Sequence, residues 1–365
     1  MKKKLLALLL GVAMVSTLFV GCGAKEEAAE APAEAPAEEV TETEEPGEEA
    51  EFEFEEATIT VSYNSTETTP HGQGITKFKE LVEEKTGGKV KVDAYFNSTL
   101  YGTQTEYEAL QKGEVDLIMG SLNSAMEYIP KLKTTFCPFL WKSPEHYNAF
   151  WNGETGQELI QEIADELGTY YLGFGNAGAR HIELTVDKMI TCREDMKDIK
   201  LRTATAENMI AMVDALGANP VPISFSDTYL GLETGLAQGL EGDAQGLYAN
   251  GFDELLKSIT LTAHAYSLDG FIASAENWNK WSPELQAVVK ESVEEATAYI
   301  NQITADAEAE AADKLAADGI VVYELRAEDL AAYREEVMEA FLASDYAAEY
   351  DMELFEAIKA MGKDF

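Results

Sequence analysis

The order of apolar and polar positions after residue 57 predicts alternating strands and helices. Ile59, Val61 and Tyr63 recur with the period of two of a half-buried strand. Ile75, Phe78, Leu81 and Val82 follow with the spacing of one helix face, which Thr86-Gly87-Gly88 ends. Val90, Val92 and Ala94 form the next strand, Glu106 to Lys112 the next helix and Val115 to Met119 a third strand. This β-α-β-α-β order with short connections implies a parallel sheet with helices on both faces. Ligands of such sheets bind beyond the carboxyl ends of the strands, so Asn64-Ser65-Thr66 and Ser121-Leu122-Asn123 are the expected lining from this part of the chain.

Pro138, Phe139, Leu140 and Trp141 read as core or hinge, because a buried aromatic needs no ligand to explain it. Residues 144–167 carry a helical pattern and Tyr170 to Phe174 a buried strand. The chain then enters a second lobe near Gly178 and returns near Ala263 to Leu268, with Phe271-Ile272-Ala273 as a further strand of the first lobe. A length of 365 residues suffices for two lobes, and two crossings between them make a hinge. From Pro283 to Ala317 an Ala- and Glu-rich helical pattern runs for 35 residues, without the sustained heptad of a coiled coil. Ile320 to Leu325 and helices over 327–343 and 347–361 complete the scaffold. The expected partition is 57–177 with about 267–307 for the first lobe and 178–266 with about 308–365 for the second.

Two arginines change the picture. Arg180 and Arg202 stand in short apolar, strand-like settings, and an arginine inside KLRTA is costly unless something anionic meets it. After Arg202, Thr203 to Thr205 lead into an amphipathic helix with Met209, Ile210, Met212, Val213 and Leu216 on one face, ending at Gly217. A planar guanidinium and the N–H groups of a helix start would converge on one place, which suits a carboxylate; a structural ion pair with one of the chain's many acids is the alternative.

The formal net charge of −40 leaves no basic surface for nucleic acid. Residues 25–56 hold 15 Glu and one Lys; without their −14 and the +3 of Lys2–Lys4, the remainder still carries −29. An anionic solute would be repelled until it reached a local positive pocket. At the N-terminus, Lys2–Lys4 precede an apolar run from Leu5 to Val20 and then Gly21-Cys22, the order of a secretory signal ending at a lipobox, with Cys22 as the lipid-attachment residue. Residues 23–56 alternate Ala, Glu and Pro and read as a disordered tether, although Phe52 and Phe54 could instead open an edge strand. Cys137 reads as a small buried hydrophobe and Cys192 as a near-surface residue; a disulfide between them is the alternative.

Gly178, Arg180, Asp195, Met196, Lys197, Ile199, Lys200, Leu201, Arg202, Gly217, Ala218, Pro220, Pro222, Phe225, Ser226, Asp227, Tyr229, Leu232 and Gly235 form an ordered block. It resembles the solute-binding proteins of tripartite ATP-independent periplasmic (TRAP) transporters of the dicarboxylate type. EKTGGKVKVDAYFNSTL, EALQKGEVDLIMGS and PFLW extend the resemblance through the first lobe. The family implies an α/β, two-lobed periplasmic-binding-protein-like fold with a cleft, hinge strands and a long lobe-spanning helix. It implies that Arg202 pairs bidentately with a substrate carboxylate, that Arg180 reaches the pocket and that Phe225 walls it. Asn64 and Ser121 fall where relatives touch substrate, although Ser121 replaces the acidic residue of sialic-acid binders. Relatives commonly read DGQEN where this chain has Gln238-Gly239-Leu240-Glu241-Gly242, so the ligand-binding asparagine falls on Gly242; either Asp243 or Gln245 compensates, or the ligand lacks the group that asparagine reads.

The resemblance implies a lipid-anchored extracytoplasmic receptor, monomeric, that takes a small organic acid and delivers it to TRAP permease subunits with no cofactor. A tethered ligand sensor for a membrane receptor is the rival. An enzyme is disfavoured: His71, His146, His181 and His264 form no metal-spaced pair, and neither G-x-S-x-G nor a glycine-rich phosphate loop appears. Of the histidines, only His181 is expected near the pocket.

Overall fold

A computed structural model describes residues 53–365. Cys22, the signal segment, Phe52 and the tether up to it lie outside the described residues. The predicted β-α-β-α-β beginning is present as β1 (Ala57–Tyr63), α1 (Pro70–Lys85), β2 (Val90–Tyr95), α2 (Glu106–Gln111) and β3 (Leu117–Ser121). α1 starts where Thr69 accepts a hydrogen bond from the Gly72 N–H with Pro70 at the first helical position, and it stops before Gly87 and Gly88, both at positive φ. α3 (Leu122–Ala125) follows directly.

The helical pattern over 144–167 is two helices, α4 (Pro144–Trp151) and α5 (Glu154–Leu167). Asn152-Gly153 breaks it, and a Cβ at Gly156 would lie 2.3 Å from the Phe150 carbonyl oxygen, so the chain can turn this tightly only with glycine there. The short strand expected at Tyr170–Phe174 is the opening of a 16-residue strand, β4 (Thr169–Leu184). Next come β5 (Lys200–Thr203), α6 (Glu207–Ala215), β6 (Asn219–Pro222), α7 (Thr228–Glu233), β7 (Gly239–Gly242) and α8 (Ala244–Ala249). β8 (Ser258–Ser274) returns as one 17-residue strand whose end contains Phe271–Ala273. It is followed by α9 (Ala275–Trp278), the predicted long helix α10 (Pro283–Ala317), β9 (Val321–Glu324), α11 (Ala327–Leu342) and α12 (Met352–Met361). The helix expected over 347–361 starts only at Met352, behind the Asp351 cap and a 3-10 turn at 345–349.

The strands form one continuous hydrogen-bonded sheet in the order β2-β1-β3-β8-β4-β7-β5-β6, with β9 also on β8. β2-β1-β3 and β7-β5-β6 are parallel groups at its two ends, and the antiparallel pair β8/β4 joins them. The fold is therefore α/β and two-lobed, with β4 and β8 crossing between the lobes. Their ladder slips register at Tyr171/Gly173, Asn176/Ala179 and Arg180/Ile182. α10 ties the lobes: Leu285, Val289, Val293, Ala296 and Ile300 join the core around β1–β3, whereas Leu315 joins the core around α8.

A third core gathers Phe139, Leu140, Trp141, Met212, Val213, Tyr333 and Phe341, so PFLW is packed interior. Phe54 packs on the first core. Cys137 is buried, Cys192 half-buried, and both are free thiols. Among the described residues no helix is long and apolar enough to cross a membrane.

Candidate functional site

Both parallel groups present their carboxyl ends to the same cleft, of about 490 Å³. Asn64 and Ser65 line it just past β1, Ser121 and Asn123 past β3, Ala204 and Thr205 past β5, Phe225 past β6, and Gly242 and Asp243 at the end of β7. Thr66 and Leu122 are not in the lining. Asn64 donates from Nδ2 to Thr103 Oγ1 at 2.8 Å, and Ser121 Oγ accepts from the Asn123 N–H at 3.3 Å as the cap of α3.

Arg202 is 4% exposed and reaches the cleft from β5. Its Nε and one terminal nitrogen both donate to the Ile223 carbonyl oxygen, at 3.2 and 2.9 Å. Three of the five guanidinium N–H groups remain after these two. Its Cζ lies 5.7 Å from the centre of the Phe225 ring, which walls the cleft. Among the described residues no carboxylate is paired with it. Burial lowers its pKa to about 10, with Glu241 opposing and Arg180 adding to the fall, so at neutral pH it keeps its charge without a counter-ion. Beside it α6 starts after Ala206, its N-cap, with no side chain capping the first turn, and Ala206 and Met209 also line the cleft. An uncapped helix start next to a buried, unpaired guanidinium is a site for an anion.

Arg180 also lines the cleft but is already paired. Its Nε donates to Glu241 Oε2 at 2.5 Å and a terminal nitrogen donates to the Glu241 carbonyl at 2.9 Å. Burial opposes its charge, yet Glu241 holds its pKa above the ordinary arginine value. Burial likewise pushes Glu241 up, but Arg180 and the His264 ring bring its carboxyl down to about 2. This pair is a built-in ion pair of the sheet.

His181 is not in the cleft, contrary to the sequence expectation. It is packed in the sheet, where Nδ1 accepts from the Ala263 N–H at 3.1 Å; burial, then His264 and Arg180, lower its pKa to about 3. His71 lines the cleft instead, with Nε2 at 3.4 Å from the Gly175 carbonyl oxygen.

At Gly242 the sequence offered Asp243 or Gln245 as substitutes for the missing asparagine. Asp243 caps α8, accepting from the Gly246 N–H at 2.7 Å, and Gln245 donates to the Thr304 carbonyl at 3.0 Å; both still border the cleft. The side chain that borders the free space at Gly242 is one the sequence reading passed over. Glu183 is fully buried, and both its carboxyl oxygens lack a hydrogen-bond partner among the described residues. Leaving such a group unpaired costs about 1–3 kcal/mol. A glutamate in HIELT is as costly in an apolar strand as an arginine in KLRTA. Asp269 and Tyr63, also in the lining, were passed over too. Among the described residues no group of three His, Cys, Asp or Glu side chains is placed to hold a metal ion.

A relative from Shewanella loihica, described as a C4-dicarboxylate-binding periplasmic protein DctP, is 31% identical over 248 residues, 68% of this chain and 73% of the relative. The crystal structure of a TRAP periplasmic solute binding protein from Sulfurospirillum deleyianum with bound succinate superposes with a TM-score of 0.77 at 28% identity, covering 84% of this chain and 100% of that one. One from Roseobacter denitrificans with bound 3-deoxy-D-manno-oct-2-ulosonic acid gives a TM-score of 0.78 at 25% identity, with coverage of 84% and 100%. The model of the bacterial extracellular solute-binding proteins, family 7, matches residues 61–346, and the chain belongs to that family.

Proposed function

We propose that this chain is the extracytoplasmic receptor of a TRAP transporter, which captures a small carboxylate-bearing organic acid and hands it to membrane permease subunits. The carrying observation is Arg202: a buried cation with free N–H donors, no paired carboxylate and an uncapped helix start beside it. A ligand carboxylate supplies the missing charge, and Phe225 covers the guanidinium. Asn64 and Ser121 meet the ligand from the opposite wall. Succinate and 3-deoxy-D-manno-oct-2-ulosonic acid, bound by the two relatives, each carry a carboxylate able to occupy this position.

Closure brings the lobes, 57–177 with about 267–307 and 178–266 with about 308–365, together by bending β4 and β8 at their register slips. Closing removes water from the Arg202–carboxylate pair and strengthens it. Release then requires the permease to favour the open form. Cys22 carries the lipid, and the acidic segment after it tethers the receptor to the outer face of the cell membrane.

A thermal-shift screen of organic acids tests the capture step. A carboxylic acid should raise Tm in the wild type and not in Arg202→Ala; stabilisation only by uncharged solutes would defeat the reading. Incorporation of labelled fatty acid that is lost in Cys22→Ser tests the anchor.

A further inference from the structure

Glu183 lines the cleft, and the proposed function gives it no task. Across the sheet, Glu183 is paired with Leu240 from one side and Arg202 with Leu240 from the other. Paired residues leave a sheet on the same face, so Glu183 and Arg202 project together, with their backbones two strand spacings, about 10 Å, apart. Gly242 is the next position of β7 on that face. A Cβ there would lie 3.4 Å from one carboxyl oxygen of Glu183 and 3.6 Å from the other. Gly242 therefore places no side chain of its own against this buried carboxyl, where a longer residue would cover it.

The surrounding charges narrow what can fill that space. The charge of Arg180 is already matched by Glu241, so it adds no unpaired cation for a second carboxylate. Besides His71 and Tyr63, the ionisable groups bordering this part of the cleft are acidic: Glu241, Asp243, and Asp269 with one carboxyl oxygen unpartnered. Among the described residues the cleft thus offers one guanidinium without a paired carboxylate, Arg202, and several carboxyls. One ligand carboxylate has a place, whereas a second would meet groups of its own kind. A hydroxyl both donates and accepts, so it pairs with a buried carboxyl in either protonation state.

We infer that the bound acid is a monocarboxylate bearing hydroxyl groups, and that Glu183 determines specificity by hydrogen-bonding one of those hydroxyls in the space left open by Gly242. The inference rests on the reading of Arg202 as the carboxylate anchor. Burial, reinforced by Asp243 and opposed by Arg180, pushes the Glu183 carboxyl well above the usual range, which suits an O–H able to donate to the ligand.

The test is isothermal titration of the full-length protein with acids matched in carbon skeleton, galactonate against hexanoate and lactate against propanoate, with succinate as the dicarboxylate. The hydroxylated member of a pair should bind about tenfold or more tighter than its deoxy partner and than succinate, because a site built around a hydroxyl rejects the analogue lacking it. Glu183→Leu should bring the hydroxylated acid down to the affinity of its deoxy partner, and Glu183→Gln should keep most of the preference. Gly242→Ser should weaken the preference by interposing a hydroxyl of its own; it serves as the second variant should Glu183→Leu fail to fold. Equal binding of the deoxy acid or of succinate, or a preference that survives both Glu183→Leu and Gly242→Ser, overturns the inference while leaving Arg202-dependent capture intact. If no acid binds, the receptor reading fails and this inference falls with it.

Discussion

Arg180 and Arg202 stand on the two strands that flank β7, and both border the cleft, yet their surroundings balance their charges differently. Arg180 meets a fully buried glutamate, Glu241, which balances its charge within the protein. Arg202 meets a carbonyl, an aromatic face and a helix start, none of which cancels its charge. Residue type and a strand setting do not separate an arginine with a buried counter-ion from one without; the packing around them does.

Breaking the first arginine should give the largest effect. Arg180→Ala strands Glu241 in the sheet and should cost about 3–5 kcal/mol of unfolding free energy, as for other buried pairs that lose one partner. Urea unfolding reads this directly, and a loss under about 1 kcal/mol would show that the pair is not structural. Arg202→Ala should do the reverse. Ligand-free stability should hold or rise, while the Kd of a bound acid rises about 100-fold, close to 2.7 kcal/mol. Affinity kept within about threefold would remove Arg202 from the site.

Acid should attack the paired region. His181, neutral in the fold with a pKa of about 3, takes up a proton in the unfolded chain below about pH 6.5, so stability falls as pH drops from there. Glu241 adds a second loss between about 4.5 and 2, because the fold must give up its charge. Each proton contributes a slope of about 1.4 kcal/mol per pH unit. Glu183 works in the opposite direction, since its raised pKa favours the folded state at low pH and withdraws that support as pH rises. Denaturant titrations at stepped pH should show the Glu241 loss disappear in Arg180→Ala. The smallest effect belongs to Phe225→Ala, which removes about 0.5–1 kcal/mol of cation–π contact from Arg202 and should raise the acid's Kd about two- to fivefold.

The first half of the fold was legible because its strands alternate cleanly and its helices end at glycines. The crossing strands were not, since FGNAGAR carries small and polar residues that propensity reads as a break; pairing along β8 holds it in the sheet. β6, NPVP, and β7, GLEG, were missed for the same reason. Within the site, an arginine in an apolar strand pointed to Arg202, which the structure brings to the cleft. Its twin at Arg180 could not be told apart, because the deciding partner lies 61 residues away along the chain.

The long antiparallel pair β4 and β8 also limits how this molecule can be divided. Each strand belongs to both halves of the sheet, so no cut between residues 169 and 184 or between 258 and 274 yields a fragment with closed edges. Excising either half would expose a raw ladder of N–H and C=O groups, the template on which sheets aggregate. Chimeras that swap ligand preference between relatives should therefore exchange loops around the cleft and leave the shared strands whole.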